Sequence, residues 1–176
     1  SQQADLVARG VRIFGASAAS TATLANDMEP EYIAVNSNSS KAWVALQENN
    51  AIAIIDIASA TVESINPLGF KDHSVAGNEL DASDKDDRIN IRNWPVFGMY
   101  QPDSIALYNS RGVDYLVTAN EGDSRDFEES RIKDLTLDAT AFPQAAALQG
   151  NSQLGRLAVT NTLGDTDNDG DFDQLY

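Results

Sequence analysis

Four short β-prone segments joined by tight polar turns, all between Glu31 and Leu68, constrain this chain more than any other feature. Tyr32-Ile33-Ala34-Val35 alternates and is β-branched, and Asn36 to Ser40 behind it is dense in turn formers. Lys41 to Leu46 reads as a second strand, Gln47-Glu48-Asn49-Asn50 as a turn, Ala51 to Ile57 as a third strand and Thr61 to Ile65 as a fourth. Four strands joined this closely form a meander sheet, and such a sheet repeated around an axis is a blade of a β-propeller.

The pattern recurs. Pro102-Asp103-Ser104-Ile105-Ala106-Leu107 parallels Pro30-Glu31-Tyr32-Ile33-Ala34-Val35, each with a proline and an acid before an alternating strand. A turn at Asn109 to Gly112 then leads into Asp114 to Ala119, and both repeats end on an amide–acid step, Gln47-Glu48 and Asn120-Glu121. Gly155 to Asn161 starts a third copy, and a further strand is expected at Gln174-Leu175-Tyr176. The expected blade-like units are 29–68, 101–136 and 153–176, with a long polar insertion loop over 69–100 and a short helix within Leu137 to Gln149. A blade takes about 40 residues and a closed ring needs at least four blades. The chain therefore reads as a partial propeller of about two to four blades, all-β, with the remaining blades of a larger protein as its first partner.

The strongest chemical signal is Asp165-Thr166-Asp167-Asn168-Asp169-Gly170-Asp171-Phe172-Asp173. Acids at alternate positions with glycine at the sixth are the spacing of a calcium loop, where side chains converge on one ion and glycine allows the sharp turn. Asp165, Asp167, Asp169 and Asp173 would supply side-chain oxygens and Asp171 a backbone carbonyl. Hard oxygen donors in this number favour Ca2+ over Mg2+. An EF-hand is rejected, because its twelfth position is Tyr176 instead of glutamate and the flanks read as strands. The spacing instead resembles the calcium loops in hairpins of integrin-type propeller blades. The alternative is a solvated acidic turn with no ion, which the mutual repulsion of five carboxylates disfavours.

Composition narrows the chemistry. The 27 acidic residues against 12 basic give a net charge of −15, which opposes binding to nucleic acid. There is no cysteine and a single histidine, His73, so neither a thiolate site nor a multi-histidine zinc or iron centre can be built within this chain. No apolar run is long enough to insert into a membrane as a helix. Lack of cysteine with high acidity fits an extracellular, periplasmic or cell-surface setting.

Catalytic candidates are sparse. Glu121, Asp123, Arg125 and Asp126 follow a strand end and would suit a second cation site or a phosphate corner, with Arg125 as the clamp. A polar hairpin with an internal Arg–Asp pair is the plainer alternative. His73 lies between Asp72 and Ser74, but a triad is defined by geometry in space, and a loop histidine used for hydrogen bonding explains it as well. Asp81 to Asp87 reads as a solvated acidic run or a weak ion site, and Trp94, Phe97 and Tyr100 as packing aromatics.

Taken together, Tyr32 to Val35, Leu46 to Asn50, Leu68-Gly69-Phe70-Lys71-Asp72-His73-Ser74, Asn90 to Pro95, Thr118 to Asp123 and the acidic loop resemble the choice-of-anchor I family. Its members are bacterial extracellular or surface-anchored β-propellers, related to a mesenchyme-specific cell-surface glycoprotein and often named as atypical alkaline phosphatases. The resemblance implies a propeller, export and calcium. Two functions are expected from it and from the residues: a calcium-binding surface module for an extracellular ligand, or alternatively a calcium-dependent phosphoesterase acting on a phosphate ester.

Overall fold

A computed structural model of the chain describes residues 2–14, 23–122, 125 and 128–176. In chain order the elements begin with helix α1 (Gln2–Ala8), one turn of helix α2 (Leu24–Asp27), and strands β1 (Pro30–Val35), β2 (Lys41–Leu46), β3 (Ala51–Asp56) and β4 (Thr61–Pro67). Four short strands follow: β5 (Phe70–Asp72), β6 (Leu80–Asp81), β7 (Ile91–Arg92) and β8 (Phe97–Met99). The long strands β9 (Pro102–Ser110) and β10 (Val113–Asn120) come next, then β11 (Glu129–Arg131), helix α3 (Ala145–Leu148) and β12 (Ala158–Thr160). The architecture is mostly β and antiparallel, with one four-stranded meander, and none of the described sheets closes into a barrel. The chain divides into two compact units, 1–69 with 99–123, and 70–98 with 124–176.

In the first unit the meander runs β1-β2-β3-β4, as the alternating pattern requires. Val44 pairs with Ala53 and Leu46 with Ala51, and this face is covered by Leu6, Val11 and Ile13 from the N-terminal segment. Ala45 pairs with Ile52 on the opposite face, where Ala34 and Ile105 complete the cluster and Leu107 and Leu116 pack against it. The β9–β10 hairpin thus lies on the second face of the meander. Its turn, Arg111-Gly112, has φ of 54° and 81°, the paired left-handed conformation that matches strand twist in a two-residue hairpin.

Turn residues lock the first unit from inside. Asn49, fully buried, donates its amide to the carbonyls of Arg12 and Asp27, and its Oδ1 accepts the backbone N–H of Glu29. The N-terminal segment is therefore stitched to the β2–β3 turn, a contact with no signature in the sequence. The register also corrects the repeat alignment. Pro30 pairs with Leu46 and Pro102 with Asn120, so Gln47 corresponds to Glu121 and not to Asn120.

The second unit is built from short pieces around one apolar cluster of Trp94, Val96, Ile132, Leu137, Phe142, Leu154, Val159 and Leu175. The expected loop over 69–100 carries β5, which pairs with β8, and β6, which pairs with β7. β11 pairs with β12 in antiparallel register, Ser130 opposite Val159. The helix expected within Leu137 to Gln149 is confined to α3, because Asp138 caps a separate turn by accepting the N–H groups of Thr140 and Ala141. Gln174 to Tyr176 is not a strand. Its carbonyls still serve as acceptors, Leu175 for Phe97 N–H and Tyr176 for Thr160 N–H.

Candidate metal centre

The acidic loop leaves β12 and returns to the second-unit core through Leu175. Asp173 and Gln174 both donate backbone N–H to the Gly164 carbonyl, at 2.8 and 3.1 Å, which closes the loop at its neck. Gly164 sits at φ 109°, and a Cβ there would meet the Gln174 carbonyl oxygen at 2.2 Å. The far side is pinned to the segment before α3: Phe172 N–H donates to Thr136, and Asp138 N–H to Phe172.

Within this frame the loop folds on its own carboxylates. Asp165 accepts the N–H groups of Asp169 and Gly170, and Asp169 accepts that of Asp171. Asn168 and Gly170 take φ of 62° and 101° to make the turn. Thr166 donates both its backbone N–H (2.8 Å) and its hydroxyl (2.6 Å) to Asp173.

The result brings Asp165, Asp167 and Asp173 together, with one oxygen of each within 4.8 Å of the others. Oxygens bound to one Ca2+ at about 2.3–2.6 Å can lie up to about 5 Å apart, so this donor set fits a hard divalent cation. Asp169 and Asp171 stand outside that group of three. Loss of surrounding water, then the carboxylates of Asp169, Asp173 and Asp165, push the Asp167 carboxyl above its ordinary value. Asp171 is raised for the same reasons, loss of water first, with Asp169 and then Asp138 as the charges that act on it most strongly. Asp173 is lowered, chiefly by the Thr166 hydroxyl and N–H. Thr166 and Asp138 are the contributors that sequence spacing did not single out.

The other candidates are dispersed. Glu121, at the end of β10, is exposed and accepts the Gln47 side-chain amide at 3.0 Å. Arg125 is buried, and its carbonyl accepts the Glu128 N–H. Asp123 and Asp126 lie outside the described residues. His73 is bonded through Nδ1 to the Asn78 carbonyl at 2.6 Å, and its Nε2 lies against Gly98. The Asp72 carboxylate takes the N–H and hydroxyl of Ser74, so Asp72, His73 and Ser74 form no relay. In the acidic run, Asp84 accepts two bonds from Arg156 and Asp86 pairs with Arg88. Trp94 is buried with Arg92 over its ring, and Phe97 stacks on Tyr176.

These features define an antiparallel all-β protein whose one compact cluster of three metal-capable acids, among the described residues, lies in a loop that follows a strand. The chain belongs to the choice-of-anchor I domain family, whose sequence profile matches residues 1–176. Membership carries a cell-surface or extracellular role, and no described helix is long and apolar enough to cross a membrane. No curated protein and no solved structure gives a significant match.

Proposed function

We propose that the protein is a surface-exposed, calcium-binding stretch of a β-propeller that acts as a binding module. The observation that carries the calcium reading is the convergence of Asp165, Asp167 and Asp173. Bound Ca2+ would offset the loss of water and the mutual repulsion that raise Asp167 and Asp171 and would brace the loop between β12 and the second-unit core.

The propeller reading rests on how the repeated hairpins stack. Ile33 and Val35 pair with Val44 and Ala42, so they share one face of the meander, yet both are exposed. Their counterparts Ile105 and Leu107 pack on the opposite face of that same meander. The outer face of the hairpin, with Tyr108, Tyr115 and Val117, is again exposed. A front face seated on the next unit's back face is a head-to-tail contact, which closes into a ring when repeated with rotation. The exposed edge at Ile33 and Val35, beside the part of that face covered by the N-terminal segment, and the outer face of the hairpin are the surfaces further blades would cover. The phosphoesterase alternative draws no specific support from the described residues, since the His73 ring is tied to Asn78 and Arg125 is buried.

The test is calorimetric titration of chelator-stripped protein with Ca2+, beside an Asp167→Ala variant. Binding heat in the wild type that the variant loses is the expected result. No heat at several temperatures, with an unchanged thermal midpoint, would remove calcium from the reading.

A further inference from the structure

The repeat puts matching residues at matching strand positions. Counted from Pro30 and Pro102, Ile33 and Val35 correspond to Ile105 and Leu107, and Ala34 corresponds to Ala106. Counted back from Gln47 and Glu121, Trp43 and Ala45 correspond to Val117 and Ala119. Strand alternation therefore gives each hairpin large apolar side chains on one face and two alanines on the other. Inside the chain these two kinds of face already meet. Ile105 is buried in one cluster with Ala34, Ala45 and Ile52, and Leu107 packs beside it. The large side chains seat where the alanines leave room.

One half of the same contact is left open on each side of this stack. Ile33 and Val35 are 58% and 47% exposed, beside the part of their face that the N-terminal segment covers. Ala106 and Ala119 are exposed on the outer face of the second hairpin, around Val117, which is 51% exposed. The open halves repeat the residue types of the filled contact. We propose that a second copy of this chain docks head-to-tail, seating its Ile33 and Val35 on Ala106, Val117 and Ala119 of the first. The inference rests on the front-to-back stacking of the propeller reading and names a partner for its open faces. It does not depend on calcium. The contact is heterologous, so association does not stop at two. The net charge of −15 opposes it, and salt relieves that opposition. A contact of so few side chains forms at about 0.1–1 mM, and at micromolar concentration the chain is a monomer with both faces in water.

Sedimentation velocity of the full chain from about 10 μM to about 1 mM, in about 0.5 M sodium chloride, tests it. The weight-average sedimentation coefficient is expected to rise with concentration, less so at low salt, and to ignore chelator. Val35→Asp and Val117→Asp should each abolish the rise while leaving the thermal midpoint at micromolar concentration unchanged. An equimolar mixture of the two variants should recover a complex that stops at two, because one keeps the back face and the other the front. No rise in the wild type, a rise that survives either substitution, or a mixture that stays monomeric would overturn the proposal. Ile105→Ala at micromolar concentration separates the two readings. A lowered midpoint without any association would leave the stacking in place and remove the second copy. An unchanged midpoint would remove the stacking itself, and the proposal with it.

Discussion

Asn50 holds Gln101 in place: its Oδ1 accepts the Gln101 N–H at 3.2 Å and the Tyr100 N–H at 3.1 Å, while its Nδ2 donates to the Gly69 carbonyl at 2.8 Å. One fully buried side chain in the β2–β3 turn thus fixes both the exit from β4 and the approach to β9. Asn50 itself sits at φ 48°, which asparagine tolerates better than most residues. Asn50→Ala would strand three backbone groups, one buried and two half-buried, at a cost of about 3 kcal/mol. For a chain of this size that lowers the melting temperature by roughly 6–12 °C. A calorimetric scan showing a drop under 2 °C would contradict this assignment.

Two glycines of the acidic loop separate crowding from strain. Gly164→Ala would push a Cβ into the Gln174 carbonyl, opening the neck that positions Asp173. Gly170 also has positive φ, but among the described residues nothing lies within 4 Å of its would-be Cβ. Gly170→Ala should therefore cost only about 1 kcal/mol of conformational strain, and Gly164→Ala distinctly more. Chemical denaturation of the two variants side by side gives the ranking, and equal losses would show that the neck contact is not the determinant.

The outer face of the β9–β10 hairpin is the next check. Tyr108 and Tyr115 stack there at 5.2 Å beside exposed Val117. In this chain Val117→Asp should change stability by less than about 0.5 kcal/mol, as for other exposed positions. Tyr115→Ala forfeits a cross-strand pair worth about 0.5–1 kcal/mol. If Val117→Asp instead destabilises by several kcal/mol, the face is covered in solution, and sedimentation velocity would identify self-association as the cause.

The meander was legible because period-2 alternation and turn chemistry agree there. The expected strand Lys41 to Leu46 is matched at both ends, and Ala51 to Ile57 ends one residue earlier. The second hairpin was equally visible, but its register was not: both hairpins carry the same irregularity near their open end, and the span from Ile105 to its partner Thr118 is two residues longer than that from Ile33 to Val44, which shifts the strand end. That shift hid the pairing of Gln47 with Glu121. Strands of two or three residues, such as β6 and β7, are too short to show a period, so 69–100 read as a loop. β11 and β12 are partnered across the intervening α3, a pairing that local pattern cannot reveal. In the acidic loop, spacing identified the five acids, whereas which three converge depends on Thr166 and Gly164, whose roles appear only once the neck closes.

Acid titration of the loop should split its carboxylates in opposite directions. Asp167 and Asp171 are raised above 3.8, so in calcium-free protein the folded state holds their protons more tightly than the unfolded chain does. Their contribution therefore favours folding at low pH, and it is lost as pH rises through the raised values. Asp173 is lowered, so the stability from its Thr166 bonds is present above 3.8 and fades as pH falls through its depressed value. Carbon-detected NMR of the side-chain carboxyls, in chelator, should place the Asp167 and Asp171 midpoints above 3.8 and the Asp173 midpoint below it. Adding Ca2+ should pull the Asp167 midpoint downward, because the ion requires the deprotonated oxygen and displaces the proton. An Asp167 midpoint that ignores Ca2+ while Asp173 moves would place the ion away from Asp167 and reassign the ligand set.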